Sequence, residues 1–221
     1  MLKNKKEKTM FNLKNVSKMK NLKVMMMTLM MCLMTMVSFG QEKYTTYDNL
    51  YGEETYEVSI SHKDNGKYTL YVDMMSMDKL SKNGGIMITE KEHQLFLSTL
   101  NEAKVKYIEW VATAKENNVT DLSKSMKFKV KVGGFFQYGS KWNFQYVVNL
   151  TFDFRIVDGK NLLIVRTGKL TSSSNQYMTH DDGFVFVFQN EKEIDDFVNV
   201  LSVDKVQEFM NKPKSTDLFK D

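Results

Sequence analysis

The chain predicts an α+β fold: a mainly antiparallel β-sheet with two amphipathic helices packed on one face. Three observations carry that expectation. Apolar and polar residues alternate with period two along several short stretches, the longest running from Phe144 to Ile156. Apolar residues recur at three- and four-residue spacing after Thr89 and again after Asn190, and both starts carry capping residues. Glycine-containing turns join neighbouring strand-like runs, which favours hairpins over parallel crossovers.

The first hairpin is expected at residues 55–77. Tyr56, Val58 and Ile60 alternate with polar residues, Asp64-Asn65-Gly66 turns the chain, and Leu70, Val72 and Met74 alternate back. A three-residue loop with Gly66 left-handed sets Ile60 opposite Leu70, Val58 opposite Val72 and Tyr56 opposite Met74. That register places every apolar side chain on one face, which a two-residue turn does not. A short strand, Gly85 to Thr89, follows. Thr89-Glu90-Lys91-Glu92 then reads as a capping box. Behind it, Leu97, Leu100, Ala103, Tyr107, Trp110 or Val111, and Ala114 form one buried stripe, while His93 in the first turn is expected to be partly exposed. Asn117-Asn118 ends this helix.

The second half is richer in strand. Phe128, Val130 and Val132 alternate with Lys127, Lys129 and Lys131 in a strand at 127–138, and Gly139-Ser140 turns the chain. Phe144, Tyr146, Val148, Leu150, Phe152, Phe154 and Ile156 are expected to face the core, with Gln145, Asn149, Thr151, Asp153 and Arg155 among the residues on the wet face. A two-residue Asp158-Gly159 loop sets Phe154 opposite Leu163 and Phe152 opposite Val165. Gly168 is expected to mark a bulge. Residues 172–182 form a loop, GFVFVFQ at 183–189 a buried strand, and a second helix begins at Asn190. GKYTLYV (66–72) resembles GKNLLIV (159–165), and TEKEHQLFLSTL (89–100) resembles NEKEIDDFVNVL (190–201), in the same order. These matches predict a tandem hairpin–strand–helix duplication with units at about 54–118 and 126–211.

The N-terminal 40 residues read as something else. A lysine-rich segment precedes an apolar run of 17 residues, Val24 to Gly40, that exits through Ser38-Phe39-Gly40. A spanning helix wants roughly 20 apolar residues for about 30 Å of hydrocarbon, so the run is short for an anchor. Positive segment, apolar segment and small-x-small exit together predict a secretory signal peptide cleaved before Gln41. Bulky Leu29-Met30-Met31 before Cys32 argues against a lipid anchor there, and the long basic segment suggests a translation start at Met10 or Met19. Residues 41–221 are then one α+β domain with a short disordered tail at 212–221. They have no stable membrane insertion once the leader is gone.

Removing the leader reverses the charge. The chain has 31 basic and 27 acidic residues, net +4; residues 1–40 hold eight lysines and one glutamate, so 41–221 hold 23 basic and 26 acidic residues, net −3. Its only arginines are Arg155 and Arg166. Nucleic-acid binding is therefore not expected. The sole cysteine, Cys32, leaves with the leader, so disulfides and Cys-type metal sites are excluded from the body.

No catalytic, phosphate-loop or metal motif stands out, and no cofactor is expected. His180-Asp181-Asp182 offers an acid/base or metal-ligand candidate, although Asp-Gly before a strand is ordinary turn chemistry. The Lys127/129/131 row reads as a solvated face, with Lys127 opposite Asp153. The expected role is a non-catalytic binding or structural protein of the bacterial periplasm or cell surface, with an unknown protein or glycan as partner. Its candidate surface is Gln145, Asn149, Thr151, Asp153 and Arg155, with His180 beside it. The alternatives are a carrier of an apolar ligand between the aromatic sheet face and the first helix, and a His180-dependent hydrolase.

Overall fold

The computed structural model describes residues 41–63, 65–78 and 82–212. Residues 1–40, expected to be a leader, together with Asp64, residues 79–81 and 213–221, lie outside the described residues. Residues from Gln41 onward form one compact unit. The strands are β1 (Glu42–Asn49), β2 (Glu54–His62), β3 (Tyr68–Asp73), β4 (Met75–Ser76), β5 (Gly84–Thr89), β6 (Leu122–Tyr138), β7 (Lys141–Val157), β8 (Lys160–Arg166), β9 (Leu170–Thr171), β10 (Thr179–His180) and β11 (Phe184–Phe188). The helices are α1 (Glu90–Glu116), α2 (Glu191–Val200) and α3 (Val203–Met210). The main sheet is antiparallel in the order β1-β2-β3-β5-β6-β7-β8-β11-β4, and β9 and β10 pair separately.

Local turn chemistry sets the hairpin registers. Val58 faces Val72 and Ile60 faces Leu70, with Gly66 at φ 77° closing the turn. Phe152 faces Val165 and Phe154 faces Leu163 across the Asp158-Gly159 turn. The first pairing stops at Val58–Val72: beyond Asp73 the Met74 amide donates to Gly84 O, and the chain leaves β2 to continue as β4 against β11. At the start of α1 the Glu92 carboxylate accepts from both the Thr89 amide (2.9 Å) and its hydroxyl (2.7 Å). Asn190 caps α2 by accepting from the Glu193 amide.

The core lies between one sheet face and the helices. Leu97, Leu100, Ala103, Tyr107 and Ala114 of α1 are buried as the spacing predicts, with Trp110 and Val111 half-buried against them. Phe154 meets Tyr107 at 5.9 Å and Trp110 at 5.6 Å in edge-on geometry. Phe197 of α2 packs on Phe186 and Phe188 of β11 and on Tyr47 of β1. The described helices include none long and apolar enough to cross a membrane.

Several expectations change. The stretch β1 is a strand although its sequence, EKYTTYDN, is mostly polar; it is held by pairing with β2 and by Tyr47, whose hydroxyl donates to Asp73 O. The second helix is two, broken at Leu201-Ser202. His93 is fully buried rather than partly exposed. Its Nε2 donates to Leu201 O (2.6 Å), and its Nδ1 accepts from the Tyr68 hydroxyl (2.6 Å), so it ties α1 to β3 and to that helix break. Burial lowers its pKa, opposed by the Leu201 carbonyl. Gly168 is left-handed but lies past the end of β8, so it ends the pairing instead of bulging it. Five strands precede the first helix and six precede the second, and helices of 27 against 10 and 8 residues differ as well, so the internal repeat is unconfirmed.

Candidate functional site

Two bulges in the β6–β7 ladder decide which residues face outward. Between Val132–Val148 and Gly134–Gln145 the strand β7 carries one extra residue. One extra residue flips the face of everything beyond it. Tyr146, expected in the core, is therefore 72% exposed, and Asn143 is buried in its place. Phe144 pairs with Phe135 on the outer face, where Phe135 also meets Tyr71 and Trp142. The second bulge puts two extra residues of β6 between Ser125–Asp153 and Lys129–Thr151. Two extra residues preserve the face but displace Lys127, so Asp153 faces Ser125 instead.

The predicted surface residues consequently divide. Gln145 turns inward and serves the bulge: its Oε1 accepts from Thr171 N (2.7 Å) and its Nε2 donates to Val147 O (2.9 Å). Asn149 and Thr151 are exposed on the outer face, opposite Lys131 and Lys129. Asp153 accepts from Ser125 Oγ (2.6 Å) and pairs with Arg166 Nε (2.9 Å). Arg155 is exposed beside Ser123 and Leu162. His180 is buried against Phe184, 4.3 Å between ring centroids. Its Nδ1 accepts from Gly183 N (3.0 Å) and its Nε2 reaches Ser76 Oγ (3.2 Å), an arrangement that holds the β10 turn and lends no support to a hydrolase. Gly183, left-handed at φ 69°, lies so close to Gly168 O that a Cβ there would sit 2.0 Å from it.

Arg155 borders a cavity of about 390 Å³ on the outer face of β8, β11 and β4, within the range of roughly 300–1,000 Å³ usual for small-ligand sites. Register alone builds its floor. Met75 faces Val185 and Val185 faces Arg166. In the next row Val187 faces Ile164 and Ile164 faces Asp153; after that Leu162 faces Arg155. Leu162, Ile164, Val185 and Val187, with Met75, form an apolar cluster separate from the main core. Tyr51, Met77, Val157, Asp182 and both arginines of the chain complete the wall.

The aliphatic floor escaped the sequence reading, although one signal was present. KNLLIVR and FVFVF carry apolar residues at consecutive positions, and an antiparallel strand of that kind has two apolar faces. By contrast, the interior between the sheet and α1 is filled by aromatic contacts, which lends no support to a ligand there. Among the described residues no three His, Cys, Asp or Glu side chains are grouped to hold a metal. No protein-family model matches the chain, and neither does any curated protein or solved structure.

Proposed function

We propose a non-catalytic binding protein, exported by its leader to the periplasm or cell surface, that holds a small ligand in the outer-face groove of β8, β11 and β4. One observation carries the reading: an aliphatic floor sits on rigid strands outside the core, with charged side chains confined to its rim. Sites of this composition bind by excluding water from the ligand body and orienting it with few polar groups. Native mass spectrometry of protein purified from its host tests the groove. A small-molecule adduct is expected that disappears in Ile164→Trp, which fills the floor; an adduct insensitive to that change, or none, removes the support. N-terminal sequencing tests export. A chain beginning at Gln41 agrees with it, and one beginning upstream of Val24 rejects it.

A further inference from the structure

We infer that the groove takes an amphipathic carboxylate: an acyl chain lying over Leu162, Ile164, Val187 and Val185, with its carboxylate on Arg155. This rests on the binding role proposed above and names the ligand's chemistry.

The two arginines are not equivalent. Arg166 is already occupied, its Nε on Asp153 Oδ2 at 2.9 Å, and Asp153 is in turn fixed by the Ser125 hydroxyl at 2.6 Å. The Arg155 side chain makes no hydrogen bond or ion pair among the described residues, so its guanidinium is open to a ligand. A guanidinium presents parallel N–H groups that match the two oxygens of a carboxylate.

The charges also give the groove a direction. Arg155 stands beside Leu162, and Lys160 is the next residue on that face of β8. Asp182 lies at the opposite end, past Gly183, whose carbonyl accepts from the Met77 amide. Leu162 to Arg166 spans four residue steps, about 13 Å of strand. Between the two ends the floor offers only aliphatic side chains, which solvate hydrocarbon and satisfy no hydrogen-bonding group. An anionic head therefore belongs at the Arg155 end, away from Asp182, with an unbranched apolar tail running toward Met75 and Met77.

Titration calorimetry of the purified protein with decanoate, decanol and decylamine tests this. Decanoate is expected to bind at least tenfold more tightly than either of the others. Arg155→Leu should reduce decanoate to the level of decanol, and Arg155→Lys should keep part of the preference. Unchanged circular dichroism in both variants shows that the fold persists. Equal binding of decanoate and decanol by the wild type overturns the carboxylate while leaving the groove reading intact. Binding that survives Ile164→Trp overturns the groove itself, and no decanoate binding at millimolar concentration overturns the inference.

Discussion

The two faces of β8 and β11 carry the same kind of side chain and have different fates. On the inner face, Leu163, Val165, Phe186 and Phe188 join the main core under the helices. On the outer face, Leu162, Ile164, Val185 and Val187 have one another and Met75, with the groove above them. The difference lies in what packs on each face, not in composition. Helices close the inner face into the main core, whereas the outer side chains, although only 3–8% exposed, form a small separate cluster that borders the groove.

Substitutions on the two faces should separate these roles. Phe154→Ala, which removes a ring packed on both Tyr107 and Trp110, should cost about 4 kcal/mol of unfolding free energy in urea. Next comes His93→Ala, expected to cost about 3 kcal/mol because it strands the Tyr68 hydroxyl and the Leu201 carbonyl. A loss as small as a surface substitution would show that the helix break needs no such tie. On the outer face, Ile164→Ala should cost about 2 kcal/mol, less than Phe154→Ala, since Ile164, although only 8% exposed, packs in a small cluster apart from the main core. Costs for Ile164 and Phe154 that prove equal would erase the distinction drawn here.

A smaller effect depends on pH. Burial, and then the Glu57 carboxylate on the neighbouring strand, push Asp73 up to about 7. A carboxyl raised in the folded state holds its proton there longer than in the unfolded chain, so folding takes up protons. Stability should consequently fall as pH rises from about 4, near the ordinary carboxylate value, to about 7, and then level off. Asp73→Asn should flatten that decline in thermal midpoints measured across the range; an unchanged slope rejects the assignment. Least of all, Arg155→Ala should barely move the thermal midpoint, because the Arg155 guanidinium makes no hydrogen bond or ion pair among the described residues. A marked drop would make it a structural residue.

Much of the fold was legible in short stretches of sequence. Glu92 reaches back to Thr89, Asn190 caps its helix, and the Asp158-Gly159 turn aligns Phe154 with Leu163, as nearby residues require. The candidate site was legible only in part. Asp153 and Arg155 do stand on the outer face, but Gln145 was misplaced by a single extra residue in β7, which no alternation pattern marks. His180 looked available because its partners, Phe184 and Ser76, come from the start of β11 beyond the next turn and from a strand 104 residues away.

By itself the sequence determined the β2–β3 and β7–β8 registers next to their turns, the helix starts and the inner stripe of α1. Turn conformations and capping hydrogen bonds act over a few residues, so their outcome is written where they occur. Only the tertiary structure decided which apolar face of β8 and β11 the helices would cover. It also brought Met75, Arg155 and Arg166 to one groove and turned His93 into a buried tie. Those outcomes depend on which distant strands become neighbours, and on the desolvation each side chain meets once they have.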